Sequence, residues 1–143
     1  MAKNETIRQI VEQMYCTYGT TDPFLLCKRL RITVKYRPLE KLNGFLYTEA
    51  RRAVITLNSD THEIIQRVTC AHELGHYVLG HDSNRIFLST HTYQRTDSLE
   101  RDANTFAAEL LGYNGDDSEL AAMSCCEEHI AYIVEELVRL KQT

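Results

Sequence analysis

The sequence has no C-x-x-C pair, and its five cysteines, Cys16, Cys27, Cys70, Cys125 and Cys126, are an odd number. Both facts argue against a disulfide framework and against a cysteine-built zinc knuckle. The adjacent Cys125 and Cys126 have no basic neighbour to lower a thiol pKa and read as free thiols. Excess positive charge is also missing. The net charge of -4 and pI near 5.8 supply no overall basic field for a phosphate backbone, so direct nucleic-acid binding is not expected. No long apolar run occurs, and the start Met-Ala-Lys-Asn-Glu-Thr leads into a mixed segment, so neither a signal peptide nor a membrane span is expected. The expected location is cytoplasmic. Only two prolines occur, Pro23 and Pro38, and each falls at an element boundary. There is no internal repeat and no low-complexity linker.

At 143 residues, with 43% apolar and 25% charged residues, the chain is expected to fold as one domain over residues 1–143. Ile7, Ile10, Val11, Met14 and Tyr15 recur at helical spacing over residues 4–18, and Thr21-Asp22-Pro23 opens a short second helix through Leu30. Together these are the N-terminal helices of residues 1–30. Ile32, Val34 and Tyr36 alternate with polar residues as a strand closed by Pro38. Phe45–Thr48 and Ala53–Asn58 flank a polar turn and read as a β-hairpin. The fold class is therefore α+β, with a small antiparallel-type sheet over residues 31–58. An exposed edge of such a sheet could hold an extended peptide through main-chain hydrogen bonds. Residues 81–96 read as a loop or short strand, and residues 116–143 as C-terminal helices whose apolar face defaults to core.

Between these parts lies the stretch that carries chemistry, within residues 60–111. From Asp60 through Gly80 there is no proline, and Ile64, Val68, Ala71, Gly75 and Val78 recur at helical spacing. The pattern predicts a helix capped by Asp60 or Thr61 and stopped by Gly80. It contains His72-Glu73-Leu74-Gly75-His76, an H-E-x-x-H match. At about 100° and 1.5 Å per residue, positions four apart share a face, so His72 and His76 can aim nitrogens at one divalent metal, zinc being the expected ion. Glu73 is turned by about a quarter turn, too far to be a natural ligand but near enough to reach a water held there. Its expected role is general base.

A catalytic zinc site commonly takes three protein ligands and keeps one position open. Candidates for the third are His81, His91, Glu100, Asp102 and Glu109. His81 is turned away from the shared face if the helix continues. Glu100 fits best, because it lies on a separate apolar helix over residues 97–111 with Asn104 one turn further along the same face. An amide there can hydrogen-bond a ligand. Glu100 can also be read as the N3 member of a capping box with Asp97.

His72-Glu73-Leu74-Gly75-His76, followed by Glu100-Arg101-Asp102-Ala103-Asn104-Thr105-Phe106-Ala107-Ala108-Glu109-Leu110-Leu111, resembles the ImmA/IrrE family of bacterial and phage zinc metallopeptidases. The strand ending Thr56-Leu57-Asn58-Ser59 is similar to the strand ahead of that family's zinc helix, and the resemblance spans residues 43–111. It implies a zincin-like core, Zn2+ held by His72, His76 and Glu100, and Glu73 as catalytic base. It also implies a protein substrate, a helix-turn-helix repressor of a phage or mobile element.

The expected reaction is metal-assisted peptide hydrolysis, with His91, Tyr93 and Tyr77 as candidate oxyanion donors. A reading from another class is a non-catalytic metal-binding regulator that sequesters a repressor or forms part of a toxin-antitoxin-like pair. An intact Glu73 favours the enzyme, since a pure binder has no need of the base.

Overall fold

Residues 52–58 include five consecutive positions, Val54 to Asn58, that are all buried. A strand covered on both faces belongs in the middle of a sheet. In the computed structural model, which describes residues 2–80 and 97–113, this strand is central. The strands are β1 (Thr33–Arg37), β2 (Gly44–Glu49) and β3 (Arg52–Asn58), in the order β1-β3-β2. β2 and β3 form the expected hairpin, with Glu49 opposite Arg52 and Gly44 opposite Leu57. Its two-residue turn holds Ala50 and Arg51 at φ 50° and 68°. Residues at both central positions of such a turn must take positive φ to match the twist of the strands.

The antiparallel-type sheet expected from that hairpin needs correction, because the observed sheet is mixed. β1 runs parallel to β3, with Thr33 opposite Val54 and Arg37 opposite Asn58. The hairpin occupies one edge of β3 and leaves the other for β1, whose exposed Arg37 and Tyr36 suit an edge. The chain reverses once into β2 and again into β3, so β1 and β3 share a direction.

Four helices accompany the sheet among the described residues: α1 (Ala2–Tyr18), α2 (Pro23–Arg29), α3 (Glu63–Val78) and α4 (Asp97–Gly112). α2 begins as its sequence dictates, with Pro23 at the first helical position and the Asp22 carboxylate accepting from Phe24 N at 2.9 Å. α3 departs from expectation at its start. Its cap is His62, whose Nδ1 accepts from Ile64 N at 3.1 Å, rather than Asp60 or Thr61. Those two residues are held one turn earlier by Asn58. The Asn58 side chain accepts from Asp60 N at 2.9 Å, and its carbonyl accepts from the Thr61 hydroxyl at 2.7 Å. At the other end Gly80 has φ 79°, the left-handed geometry expected just past a helix terminus.

α3 lies against the sheet, against α2 and against α4, while α1 covers α4. Every residue from Val68 to His76 is buried. The core joins Leu46, Ile55 and Leu57 of the sheet to Val68, Ala71 and Leu74 of α3, Phe106 and Leu110 of α4, and Ile7 and Val11 of α1. No helix among the described residues is long and apolar enough to cross a membrane. The expected loop at 81–96 and the expected C-terminal helices lie outside the described residues.

Candidate metal centre

Two glycines set the spacing around the middle of α3. A Cβ on Gly75 would stand 3.0 Å from Phe106 Cδ1, 3.1 Å from its Cβ and 3.2 Å from the Ala103 carbonyl. α4 can therefore approach the histidine turn only because residue 75 has no side chain. On the sheet side, a Cβ on Gly44 would stand 2.6 Å from the Thr56 carbonyl and 2.8 Å from Thr69 Cγ2. The bare backbone at Gly44 lets α3 settle onto β2 one turn before His72.

The close α3–α4 approach brings three ligating groups to one point. His72 Nε2 lies 3.2 Å from Glu100 Oε1, and His76 Nε2 lies 3.0 Å from Glu100 Oε2. The two Nε2 atoms are 3.2 Å apart, on rings set nearly at right angles. One ligand atom from each of the three residues falls within 4.8 Å of the others, the one such cluster among the described residues. A tetrahedral zinc ion with Zn–N bonds of about 2.0–2.1 Å separates neighbouring ligand atoms by about 3.3 Å, close to the spacing seen. Two imidazoles and one carboxylate are also the donor set of open zinc sites, so the residues fit such an ion.

His72 Nδ1–H donates to Asn104 Oδ1 across 2.7 Å. This contact leaves Nε2 as the lone-pair nitrogen, turned toward His76 and Glu100. The Glu100 carboxylate sets its two oxygens beside the two histidines. Glu73 is buried between the two histidines in sequence, at 3% exposure. Glu109 points elsewhere and pairs with Arg8 at 3.3 Å. Asp102 is outside the cluster, and Tyr77 is 41% exposed. His81, His91 and Tyr93 lie outside the described residues.

One feature of this region carries no local sequence signal. Cys27 of α2 and Cys70 of α3 bring their sulfurs to 3.8 Å inside the core. The hydrogen bond to Cys27, and then burial, push the Cys70 thiol well above the ordinary range. Their separation of 43 residues hides the pair from any motif.

Two histidines and a carboxylate gathered across two packed helices form a candidate mononuclear metal site of the kind that metal-dependent peptidases use. The chain belongs to the ImmA/IrrE family: the family model for the IrrE N-terminal-like domain, peptidase M78, matches residues 27–111. It is 32% identical over 106 residues to immunity region protein 2 of Bacillus phage phi105, an alignment covering 73% of this chain and 67% of that protein. It is 28% identical over 105 residues to metallopeptidase ImmA of Bacillus subtilis strain 168, covering 73% of this chain and 62% of that relative.

Proposed function

We propose that this protein is a zinc-dependent endopeptidase that cuts a protein substrate, with a helix-turn-helix repressor of a phage or mobile element as the substrate class. The observation that carries the reading is the convergence of His72 Nε2, His76 Nε2 and the Glu100 carboxylate across the α3–α4 contact. The names of the two relatives, a metallopeptidase and a phage immunity-region protein, support the reaction class and the genetic setting.

In this reading His72, His76 and Glu100 hold the ion in a zincin-like arrangement, and Asn104 fixes the tautomer of His72. When bound, zinc lowers the pKa of a water toward about 7 and polarises the peptide carbonyl. The Glu73 carboxylate accepts the proton of the attacking water and returns it to the leaving amine nitrogen. Burial of the histidine turn keeps bulk water from competing with these contacts.

The test mixes purified protein with the helix-turn-helix product of a neighbouring gene and follows both chains by mass spectrometry. The wild type is expected to cut the repressor at a defined bond. Glu73→Gln is expected to retain zinc and to lose at least about 10²-fold in rate. Equal cutting by the variant would remove Glu73 from the mechanism. A stable, uncut complex with the wild type would make the protein a sequestering regulator instead.

A further inference from the structure

The net charge of -4 conceals a steep internal asymmetry. Residues 28–52 contain Lys28, Arg29, Arg31, Lys35, Arg37, Lys41, Arg51 and Arg52 against only Glu40 and Glu49. Glu49 is taken by Lys35, at 3.6 Å. Lys28, Arg29, Arg31 and Arg37 are exposed and make no ion pair among the described residues. Lys28 and Arg29 close α2 and Arg31 precedes β1, Arg51 and Arg52 lie at the hairpin turn near the start of β1, and Arg37 and Lys41 lie at the other end of the sheet.

The backbone of β1 adds a second, independent feature. Ser59 N donates to the Arg37 carbonyl at 2.9 Å, which fixes the phase of the ladder: Thr33, Lys35 and Arg37 direct their peptide groups toward β3. Successive residues alternate in a strand, so Val34 and Tyr36 turn their N–H and C=O groups outward, away from the sheet. Tyr36 is 51% exposed. The side chains also sort by face. Val34 and Tyr36 lie opposite Ile55 and Leu57 on the helix-covered face, and Lys35 and Arg37 lie opposite Thr56 and Asn58 on the other.

Arg31, just before the strand, has φ 62°. A glycine would take that geometry without cost, yet an arginine holds it, anchored by Arg31 N to the Lys28 carbonyl at 3.2 Å and Ile32 N to the Cys27 carbonyl at 2.8 Å.

We propose that the outer edge of β1 is a docking site for an extended acidic segment of a partner protein, which adds to the sheet as a further strand. The N–H and C=O groups of Val34 and Tyr36, which meet no partner strand among the described residues, supply main-chain hydrogen bonds. Acidic side chains of the added strand fall on the face of Arg37, where Lys35 is already met by Glu49 at 3.6 Å, and alternating apolar ones beside Val34 and Tyr36. A second copy of this chain is excluded as occupant, because β1 against β1 places Lys35 and Arg37 next to their own equivalents, and like charges across strands repel. The edge lies across the sheet from β2, the strand on which α3 rests at Gly44. Docking there leaves the metal centre uncovered, and the site stands whether or not the chain is a peptidase.

The test uses the full chain and a short fluorescein-labelled peptide that alternates valine and glutamate, read by fluorescence anisotropy. The wild type is expected to bind it, with amide resonances of Val34 and Tyr36 shifting in NMR spectra. Arg31→Glu combined with Arg37→Glu is expected to weaken binding by at least about tenfold without changing zinc retention. A probe of the same charge, N-methylated on alternate peptide nitrogens, is expected to bind the unmutated protein at least about tenfold more weakly. That arm does not depend on a variant folding. Equal binding of the N-methylated probe would reduce the site to a charge effect and overturn strand addition. No binding of the parent probe would overturn the proposal outright. Tighter binding of a single-stranded thymidine oligonucleotide would transfer the surface to nucleic acid.

Discussion

His72 Nδ1–H donates to Asn104 Oδ1 across 2.7 Å, so the orientation of one candidate ligand depends on a residue 32 positions away. Replacing Asn104 with alanine removes the acceptor that holds the proton on Nδ1. Partners of this kind contribute about 10–100-fold to metal affinity, and Asn104→Ala is expected to lose that much in a competition titration against a chromophoric chelator. Asn104→Asp retains the acceptor and is expected to keep most of the affinity. An unchanged affinity in both variants would show that His72 is held by other contacts. The cysteines make a contrasting case. Cys16 is exposed, whereas Cys27 and Cys70 are buried against each other. Cys70 keeps its proton in the folded chain because Cys27 hydrogen-bonds it and burial disfavours the thiolate. The unfolded chain releases that proton above about pH 8.5. The folded state therefore binds more protons than the unfolded one at higher pH, and stability is intact below that point and falls as pH rises beyond it. In native protein at pH 8, iodoacetamide is expected to modify Cys16 well before Cys27 or Cys70, as peptide mapping would read. Comparable modification of all three would mean that the core opens readily there. Residue types four apart on a helix made His72 and His76 legible in sequence, because a helix turns that spacing into a shared face. The Cys27–Cys70 contact was not legible, because no local period relates residues on α2 and α3.

α3 and α4 meet where Gly75 faces Phe106, and the metal-site geometry is a consequence of that meeting. Gly75→Ala gains about 1 kcal/mol of helix propensity. Against this, the new methyl would press on Phe106 Cβ and the Ala103 carbonyl, neither of which is the free end of a flexible chain. Overpacking of this kind costs about 1–3 kcal/mol, so a net loss of stability is expected in urea denaturation. Zinc affinity is expected to fall with it, since the added methyl forces Glu100 away from the histidines. A variant as stable as the wild type, with equal affinity, would show that α4 shifts freely. The sequence placed this helix pair well. Apolar spacing marked both helices, and the bounds found are Glu63–Val78 and Asp97–Gly112. It missed the cap of α3, because Asp60 and Thr61 are good capping types whose groups Asn58 takes first. It also missed the parallel pairing of β1. A hairpin is a local feature of sequence, whereas the strand that fills the remaining edge of β3 is chosen by burial over the whole sheet.

For the molecule as a whole, a metal bound at the proposed site between α3 and α4 would act as a fold-wide tie. A ligand that binds only the folded state, at about 100 times its dissociation constant, adds about 2.7 kcal/mol. For a chain of this size that raises the thermal midpoint by roughly 5–10 °C. Chelator-treated wild type is expected to gain this shift on adding zinc, and Glu100→Ala is not, in circular dichroism melts accompanied by metal analysis. An equal shift in the variant would place zinc elsewhere, and no shift in either would remove the metal from the fold. The sequence by itself determined the elements, the H-E-x-x-H face and a fitting partner in Glu100 and Asn104, because helical period and residue chemistry are local and survive without a fold. Net charge, a sum over the chain, gave no hint that half its cations fall within residues 28–52, in and around the sheet. Only the tertiary structure decided that Glu100 and Asn104 meet the histidines, that β3 takes the centre, and that β1 turns Val34 and Tyr36 outward. Each of those depends on how closely distant segments pack, which is set at Gly44, Gly75 and the buried run of β3 by the volume left when side chains are absent or covered.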